Sequence, residues 1–334
     1  MLTHRHILEA KQFEPQWLLE DFFPRVQEIK RMSQTPSGRA ALRQKLVGRE
    51  AIVFMGEPST RTGLSFTIAA QKVGMSNVFV PNALFSSSLL KGESFENTVE
   101  ALCEMRPDVI VIRHPFDDAG TRAAEVSKRY GYNIPIFDAG SGRYEHPTQS
   151  LLNLYTIWED RGGSLSGFNA GFGGDVLNSR VCRSDMLILG KFPNVGQYCI
   201  APRELWPPVQ LLKHLEEKRN VRPVLSTSMR ETFPQLDYIC WGRLQIERIK
   251  NPFMRWYLRW QYRNFRIGEE ELTYFKDGAR LMHPLPIYAP RPEITPWVQM
   301  NYPHYMARKQ MGNGLYVRMT LFLMWLENNP IFSN

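Results

Sequence analysis

Short apolar segments alternate with longer segments of helical periodicity along most of this chain. Segments such as 51–55 and 238–241 are apolar and are followed by turn-forming or polar residues, which is typical of buried strands. Segments such as 179–189 place apolar residues at the spacing of one helix face. Because parallel strands need crossover connections, the alternation predicts parallel sheets covered by helices. We therefore expect an α/β fold of two doubly wound domains, each a parallel sheet flanked by helices.

The alternation also predicts the individual elements. Strands are expected at 51–55, 77–80, 109–113, 134–138, 169–173, 197–200, 238–241 and 280–282. Helices are expected at 14–47, 63–73, 94–105, 148–161, 179–189, 205–218 and 314–327. A chain of 334 residues exceeds one comfortable core, which favours two domains. We predict one domain over 1–147, to which a C-terminal helix at about 312–334 returns, and a second over 148–311.

Composition favours a protein that handles small anions. The net charge is +8, from 41 Lys and Arg against 33 Asp and Glu, yet no five basic residues are consecutive. Single arginines between apolar residues suit small anions better than nucleic acid, so we expect no nucleic-acid partner. No run of eighteen apolar residues occurs, and the first residues lack an apolar signal core. We therefore expect no membrane partner and a cytoplasmic location.

The four cysteines are widely separated and form no metal-binding or redox motif. Neither a CxxC pair nor a Cys/His cluster with zinc spacing is present. The spacing predicts buried free thiols in a reducing compartment, and it predicts no metal site. The cysteines are Cys103, Cys182, Cys199 and Cys240.

The segment Ser59-Thr60-Arg61-Thr62 is the strongest candidate for an anion site. It follows a predicted strand and opens a predicted helix, where free amides and the helix dipole favour negative charge. Arg61 would add a planar donor fork that suits phosphate. The alternative is an ordinary N-capped helix with a solvated arginine.

Six further motifs follow predicted strands or open predicted helices, where sites form in parallel sheets. They are the loop 86–93 with Lys91, Arg113-His114-Pro115, His146-Pro147-Thr148-Gln149, Arg180 within 174–181, Arg243-Leu244-Gln245-Ile246-Glu247-Arg248, and His283-Pro284-Leu285-Pro286. Four of them have a plainer interpretation. His146 could cap a helix, Arg113 could be solvated in a turn, Lys91 could be a surface loop residue, and Arg180 could pair with Asp175.

In this order the motifs resemble those of the aspartate carbamoyltransferases, from about residue 50 to about residue 327. The resemblance implies an enzyme that transfers the carbamoyl group of carbamoyl phosphate to the amino group of L-aspartate. The products are N-carbamoyl-L-aspartate and phosphate, in pyrimidine biosynthesis, with no cofactor and no metal. Pro284 stands where the related ornithine enzymes have cysteine, which favours the aspartate branch.

The resemblance also implies a role for each motif residue. The catalytic set is Arg61, Thr62, His146 and Lys91. The carbamoyl phosphate set is Ser59, Thr60, Arg61, Thr62, Ser87, Lys91, Arg113, His146, Gln149, Pro284 and Leu285. The aspartate set is Arg180, Arg243 and Gln245. Glu57 would pair with arginines such as Arg180 and Arg248 on domain closure. Ser87 and Lys91 would come from a neighbouring subunit, which implies a homotrimer with shared active sites and allows a higher assembly.

Three departures from the family pattern leave alternatives open. Gly63 and Ile287 stand where the family usually has arginine, so another amino acid or amine could be the acceptor. Besides an aspartate enzyme and an enzyme with another acceptor, a non-catalytic scaffold is the remaining hypothesis. The near-complete set of ligand-binding residues disfavours it. The segment 253–266 is rich in Arg and aromatic residues. We expect it to pack its rings on the domain and keep its arginines in water, although base stacking or a protein partner would also use such residues.

Overall fold

The computed structural model describes residues 5–86 and 92–327. Two parallel sheets form its framework. The strands are β1 (Glu50–Met55), β2 (Ser76–Val80), β3 (Val109–Arg113), β4 (Ile136–Asp138), β5 (Phe168–Gly173), β6 (Val195–Ile200), β7 (Val224–Ser226), β8 (Tyr238–Trp241) and β9 (Arg280–Met282). The first sheet has the order β2-β1-β3-β4 and the second β7-β6-β5-β8-β9.

Helices connect these strands. They are α1 (Phe23–Met32), α2 (Pro36–Leu42), α3 (Thr60–Lys72), α4 (Ala83–Ser86), α5 (Phe95–Glu104), α6 (Ala119–Arg129), α7 (Pro147–Asp160), α8 (Arg180–Leu189), α9 (Val209–Arg219), α10 (Met229–Thr232), α11 (Pro252–Gln261), α12 (Glu269–Leu272), α13 (Pro296–Asn301) and α14 (Ala307–Leu326). Every strand pair in both sheets is parallel. The predicted fold class, two doubly wound α/β units, is therefore confirmed.

The chain divides into two compact units. One contains the described residues up to Tyr155 and those from Gly312 onward, and the other is Thr156–Met311. The division falls within α7 and α14. The assignment of 1–147 to carbamoyl phosphate and 148–311 to aspartate stays a prediction.

Each unit has its own apolar core. In the first, Ile52, Phe54, Ile110 and Ile112 on one face of the sheet pack with residues of α5 and α6. In the second, the largest fully buried side chain is Trp241, whose indole nitrogen donates to the Phe265 carbonyl at 3.2 Å. Apolar burial on both sides of central strands explains why these strands read as continuous apolar runs.

The structure differs from the predicted elements at several points. The helix expected over 14–47 runs continuously through a π-helical turn (Trp17–Phe22) into α1 and is then interrupted before α2. It is interrupted because Thr35 and Pro36 start a new helix with a side-chain cap on the Gly38 amide. The helix expected from 205 begins at Val209, after two prolines. The sequence pattern missed α6 and the edge strand β7.

The four cysteines are buried and unpaired, as predicted. Burial raises the pKa of Cys103 to about 11 and that of Cys182 to about 12. In the part of the chain that the structure covers, no helix is both long enough and apolar enough to span a bilayer.

The ring of Phe79 explains why residue 63 is glycine. Gly63 lies in the first turns of α3, and Phe79 lies on the neighbouring strand β2. A β-carbon at position 63 would be 2.5 Å from Cε2 and 2.6 Å from Cζ of Phe79. Any larger residue there requires the ring to move, so the departure from the family pattern is coupled to Phe79.

We expect Gly63→Ala to show strong coupling to Phe79→Leu. Alanine in a helix raises the free energy of unfolding by about 1 kcal/mol relative to glycine. In the wild-type background, the overlap of its β-carbon with the Phe79 ring should cancel this gain. In the Phe79→Leu background the gain should appear. Urea unfolding midpoints of the four proteins measure the coupling. Gly312→Ala in α14, where a β-carbon meets nothing within 4 Å, is the control. Equal effects in both backgrounds would contradict the explanation.

Candidate active site

The loops that leave β1, β3 and β4 lie along one edge of the first sheet. Met55 pairs with Arg113, and Ile112 pairs with Asp138, so the carboxyl ends of these strands are adjacent. The strand order reverses between β1 and β3. In open parallel sheets this reversal is where ligands bind. The predicted anion motif and Arg113 both begin at this point.

Helix α3 begins after the β1 loop, and the side chain of its N-cap residue does not cap it. Ser59 is the N-cap residue, yet its hydroxyl accepts no hydrogen bond from the helix amides. Thr62 is buried, and desolvation lowers the pKa of the Arg61 guanidinium from its usual 12.5. An anion placed here would accept hydrogen bonds from the first-turn amides and from the Thr60 and Thr62 hydroxyls.

Arg113 contacts Glu57 across the β1 loop. The Arg113 Nη2 and Glu57 Oε2 atoms are 3.4 Å apart, and both side chains are largely buried. The Gly56 amide donates to the Arg113 carbonyl at 2.7 Å, which fixes the loop against β3. The sequence placed Glu57 with Arg180 and Arg248. In this structure Glu57 contacts Arg113, which lies in the same unit.

His146 and Gln149 lie at the start of α7. The His146 carbonyl accepts from the Gln149 amide at 3.0 Å and from the Ser150 amide at 3.2 Å, so its backbone starts the helix. Its imidazole is buried, with Nδ1 3.5 Å from the Thr148 hydroxyl. The Gln149 side chain donates to Asn153 Oδ1 at 3.2 Å. The backbone carbonyl of His146 therefore accepts hydrogen bonds from amides of the first turn of α7.

A second set of motif residues follows β5, β8 and β9. Gly173 pairs with Trp241 and Cys240 pairs with Met282, so these strand ends are also adjacent. The order of the second sheet reverses between β5 and β8. Arg180 is the first residue of α8, whose N-cap hydroxyl, on Ser179, accepts from the Cys182 amide at 3.2 Å.

Asp175 is a buried carboxylate that joins the β5 loop to the β8 loop. Its Oδ2 accepts from the Gln245 amide at 2.9 Å, and its Oδ1 accepts from the Asn178 amide at 3.1 Å. The Gln245 side chain in turn donates to the Asn178 carbonyl at 2.9 Å. Burial raises the pKa of Asp175. From the sequence, Asp175 was considered only as an alternative partner of Arg180. Its position directly after two glycines at the end of a strand was a signal that it anchors the loop.

Arg243 is held by a carboxylate of its own loop. Its Nη1 lies 3.1 Å from Glu247 Oε2, and its Nη2 contacts Glu247 Oε1. The hydrogen bond with Glu247 raises the pKa of Arg243. The guanidinium fork that the sequence assigns to a substrate carboxylate thus binds a protein carboxylate here. Arg248 is half-buried in the short 3₁₀ turn Ile246–Arg248 of the same loop.

The loop after β9 contains the residues whose backbone carbonyl groups the resemblance assigns to the substrate. Pro284 and Leu285 are half-buried, and Leu285 has a φ of 58°, which is uncommon for a residue with a side chain. His283, just before them, is fully buried. Ile287 packs against the apolar core of the second unit.

The segment 253–266 is mainly helix α11 followed by a 3₁₀ turn (Tyr262–Asn264). Leu258 and Phe265 are buried, but Phe253, Trp256 and Trp260 are exposed by 54–68%. The expectation that the rings pack on the domain is therefore wrong for these three. The Tyr262 hydroxyl donates to the Gly242 carbonyl, which anchors this segment beside Arg243.

Ser87 and Lys91, two of the predicted site residues, lie outside the described residues.

Over residues 5–86 and 92–327, no three His, Cys, Asp or Glu side chains are grouped in a way that could hold a metal ion.

Glu145, next to His146, was not predicted. It is almost completely buried and accepts a hydrogen bond from the Ala10 amide. Burial raises its pKa from 4.5 to about 7, against the opposing effects of the Ala10 amide and Lys11. Glu145 thus links the N-terminal segment to the loop that carries His146.

Comparisons with known proteins match both units. Residues 5–159 match the carbamoyl-phosphate-binding domain, and residues 166–325 the aspartate/ornithine-binding domain, of aspartate/ornithine carbamoyltransferase. The chain belongs to the aspartate/ornithine carbamoyltransferase family, which confirms the resemblance of its motifs.

Individual relatives agree with this assignment. The aspartate carbamoyltransferase catalytic subunit of Thermococcus onnurineus is 37% identical over 82% of this chain and 83% of its own length. The catalytic subunit of Methanocaldococcus jannaschii aspartate transcarbamoylase has a TM-score of 0.81 at 29% identity, covering 98% of this chain and 99% of that one. Trypanosoma cruzi aspartate transcarbamoylase in complex with carbamoyl phosphate and aspartate has a TM-score of 0.83 at 27% identity, covering 97% of each chain.

We expect Glu145→Gln to change how stability depends on pH. Because the folded pKa of Glu145 is raised, the native state binds more protons than the unfolded chain between pH 4.5 and about 7. The carboxyl therefore lowers stability as pH rises through this window, by on the order of 3 kcal/mol. The glutamine still accepts from the Ala10 amide and does not titrate.

Urea unfolding at pH 5 and pH 8 measures this effect. The variant should gain stability over the wild type as pH rises, while Glu125→Gln, the same change at an exposed site on α6, should follow the wild-type profile. A constant difference between Glu145→Gln and the wild type would contradict the prediction.

Proposed function

We propose that this protein transfers the carbamoyl group of carbamoyl phosphate to the amino group of L-aspartate. The products are N-carbamoyl-L-aspartate and phosphate, in pyrimidine biosynthesis. The observation that carries the proposal is that each unit places a helix N-terminus with an arginine in its first turn at the strand-order reversal of its sheet. The chain also belongs to a family whose members include aspartate carbamoyltransferases.

The first unit supplies donors for carbamoyl phosphate. The phosphate would accept from Ser59, Thr60 and the first-turn amides of α3, and from the Arg61 and Arg113 guanidinium groups. Ser87 and Lys91 would add donors to the same group. This arrangement stabilises the negative charge that grows on the phosphate as it leaves.

The carbamoyl group would be held at two positions. Arg61, Thr62 and His146 would donate to its carbonyl oxygen, which makes the carbon more electrophilic. Gln149 and the backbone carbonyl groups of Pro284 and Leu285 would hold its amide by accepting hydrogen bonds from it. The aspartate nitrogen then attacks the carbon, the new C–N bond forms, the C–O bond to phosphate breaks, and the departing phosphate takes up the proton that the amine loses.

The second unit supplies donors for a dicarboxylate. Arg180 and Arg243 offer two guanidinium forks, and Gln245 offers an amide. Asp175 fixes Gln245 through its amide. Arg243 would exchange Glu247 for a substrate carboxylate, so the acceptor must compete with a protein carboxylate, and a monocarboxylate would leave one arginine without a ligand.

We further propose a homotrimer with active sites shared through Ser87 and Lys91. The polar segment 86–93 matches the loop that this family shares between neighbouring subunits, which supports this proposal. We also propose a cytoplasmic location, which the four buried free thiols support because unpaired cysteines suit a reducing compartment.

We expect aspartate to be the best acceptor in a colorimetric ureido assay with saturating carbamoyl phosphate. Ornithine, alanine and simple amines should be poorer because they lack the second carboxylate. Arg243→Ala should raise the KM for aspartate at least ten times more than the KM for carbamoyl phosphate. Arg222→Ala, at an exposed site of the same unit, is the control. Faster carbamoylation of another amine would show that aspartate is not the preferred acceptor.

We expect Arg61→Ala to cost at least about 2 kcal/mol of transition-state stabilisation, about thirtyfold in kcat/KM. The reason is the loss of a charged donor to both the phosphate and the carbonyl oxygen. Arg129→Ala, at the exposed end of α6, should keep wild-type turnover. Turnover of Arg61→Ala within threefold of the wild type would remove Arg61 from the mechanism.

We expect mixed trimers of two inactive variants to regain activity. A Lys91→Ala chain keeps its own Arg61, and an Arg61→Ala chain keeps its Lys91, so some interfaces in a mixed trimer carry neither defect. Co-expression with two affinity tags isolates the mixed trimers, and unmixed trimers of each variant are the controls. Demonstrably mixed trimers without activity would count against shared sites.

A further inference from the structure

A buried histidine–glutamate pair closes the loop that follows β9. His283 Nε2 lies 2.8 Å from Glu293 Oε1, and both side chains are only 1% exposed. The proposed function uses the backbone of this loop, at Pro284 and Leu285, and assigns no role to either side chain of the pair.

Both polar ends of each side chain have a partner. The Leu285 amide donates to His283 Nδ1 at 2.8 Å, and the Tyr288 amide donates to Glu293 Oε2 at 3.1 Å. Because Nδ1 accepts, the ring proton is on Nε2 and is donated to Glu293. The pair therefore holds two separate backbone amides of the loop at once.

The ends of the loop are fixed to the rest of the second unit. The His283 amide donates to Gln310 Oε1 at 2.9 Å, and the Ile267 amide donates to the Glu293 carbonyl at 2.8 Å. The loop between them contains four prolines and no glycine. Few amides remain to define its shape, and His283 and Glu293 accept from two of them.

The bond from Leu285 to His283 determines where the Pro284 carbonyl points. The Pro284 carbonyl and the Leu285 amide belong to one planar trans peptide group, in which they point in opposite directions. When the amide is held on the imidazole, the carbonyl must face away from it. The same bond holds Leu285 at its positive φ of 58°, a conformation that costs energy in a residue with a side chain.

We propose that His283 is a positioning residue for the carbamoyl amide, and that Glu293 orients His283. His283 acts through the Pro284–Leu285 peptide, whose carbonyl accepts from the substrate, and Glu293 keeps the ring in the tautomer and rotation that this requires. The inference rests on the proposed function, because only a ligand with a carbamoyl amide needs this carbonyl.

Two substitutions separate the two bonds of the ring. In His283→Asn the side-chain oxygen can replace Nδ1 as the acceptor for Leu285, but the side chain is too short to reach Glu293. In His283→Gln the amide can donate to Glu293, but no acceptor faces Leu285. Each variant loses the ring and one hydrogen bond, so a purely structural role would affect both alike.

The test compares carbamoyl phosphate with inorganic phosphate. We expect His283→Gln to raise the KM for carbamoyl phosphate at least tenfold and His283→Asn less than threefold. Neither should change the inhibition constant of inorganic phosphate, which has no amide. His304→Gln, the same change at a half-exposed histidine of this unit, is the control. Equal effects of the two variants, or a parallel rise in the phosphate constant, would overturn the role.

Glu293→Gln is the second variant and leaves residue 283 intact. One amide oxygen cannot accept from both the ring and Tyr288, so we expect a three- to tenfold rise in the KM for carbamoyl phosphate with phosphate inhibition unchanged. An unchanged KM would overturn the role, even if the His283 variants do not fold. Wild-type turnover with aspartate is measured first. Its absence removes the proposed function and this role together, whereas normal wild-type turnover with equal variant effects removes only the role of His283.

Discussion

The parallel pairing of β1 with β3 and of β5 with β8 is the constraint on which the rest of the structure depends. In each sheet these two strands are neighbours at the point where the strand order reverses, so their loops leave in opposite directions and open a crevice at the carboxyl edge. Arg113 sits directly beside the end of β1, and the loop of Arg243 sits beside the end of β5. Apolar burial on both faces of these strands stabilises the strand register. The register brings Arg113 and the loop of Arg243 to the carboxyl edges of the two sheets.

Carboxylates of the protein itself control the cations at both edges. Glu57 contacts Arg113, Glu247 contacts Arg243, and Asp175 fixes the backbone beside Gln245. Bringing unpaired charges together without a ligand would be costly, and these contacts offset part of that cost. Under the proposed function, binding of a substrate carboxylate at Arg243 would exchange one ion pair for another. Because the charge on the arginine is already compensated, affinity at this position depends more on geometry than on net attraction.

Much of the fold could be predicted from the sequence, because buried parallel strands are continuous apolar runs and helices show their own period. The edge strand β7 was missed because three half-exposed residues carry almost no pattern. The break between α1 and α2 was missed although the sequence signals it, because residues 33–39 form a polar stretch with Pro36 and Thr35 caps the Gly38 amide. The site motifs were found by their order after strands. The partners of Arg113 and Arg243, and the link from Asp175 to Gln245, could not be found in this way, because they join separate loops or depend on the rotamer of a long side chain.

The buried cysteines have a practical consequence for work on this protein. Thiol reagents react with thiolates that they can reach, and here burial both blocks access and raises the pKa of the thiols. We therefore expect the folded chain to react only very slowly with maleimides and iodoacetamide. A single cysteine introduced on an exposed position, for example on α11, can carry a fluorophore or spin label without prior removal of the natural ones.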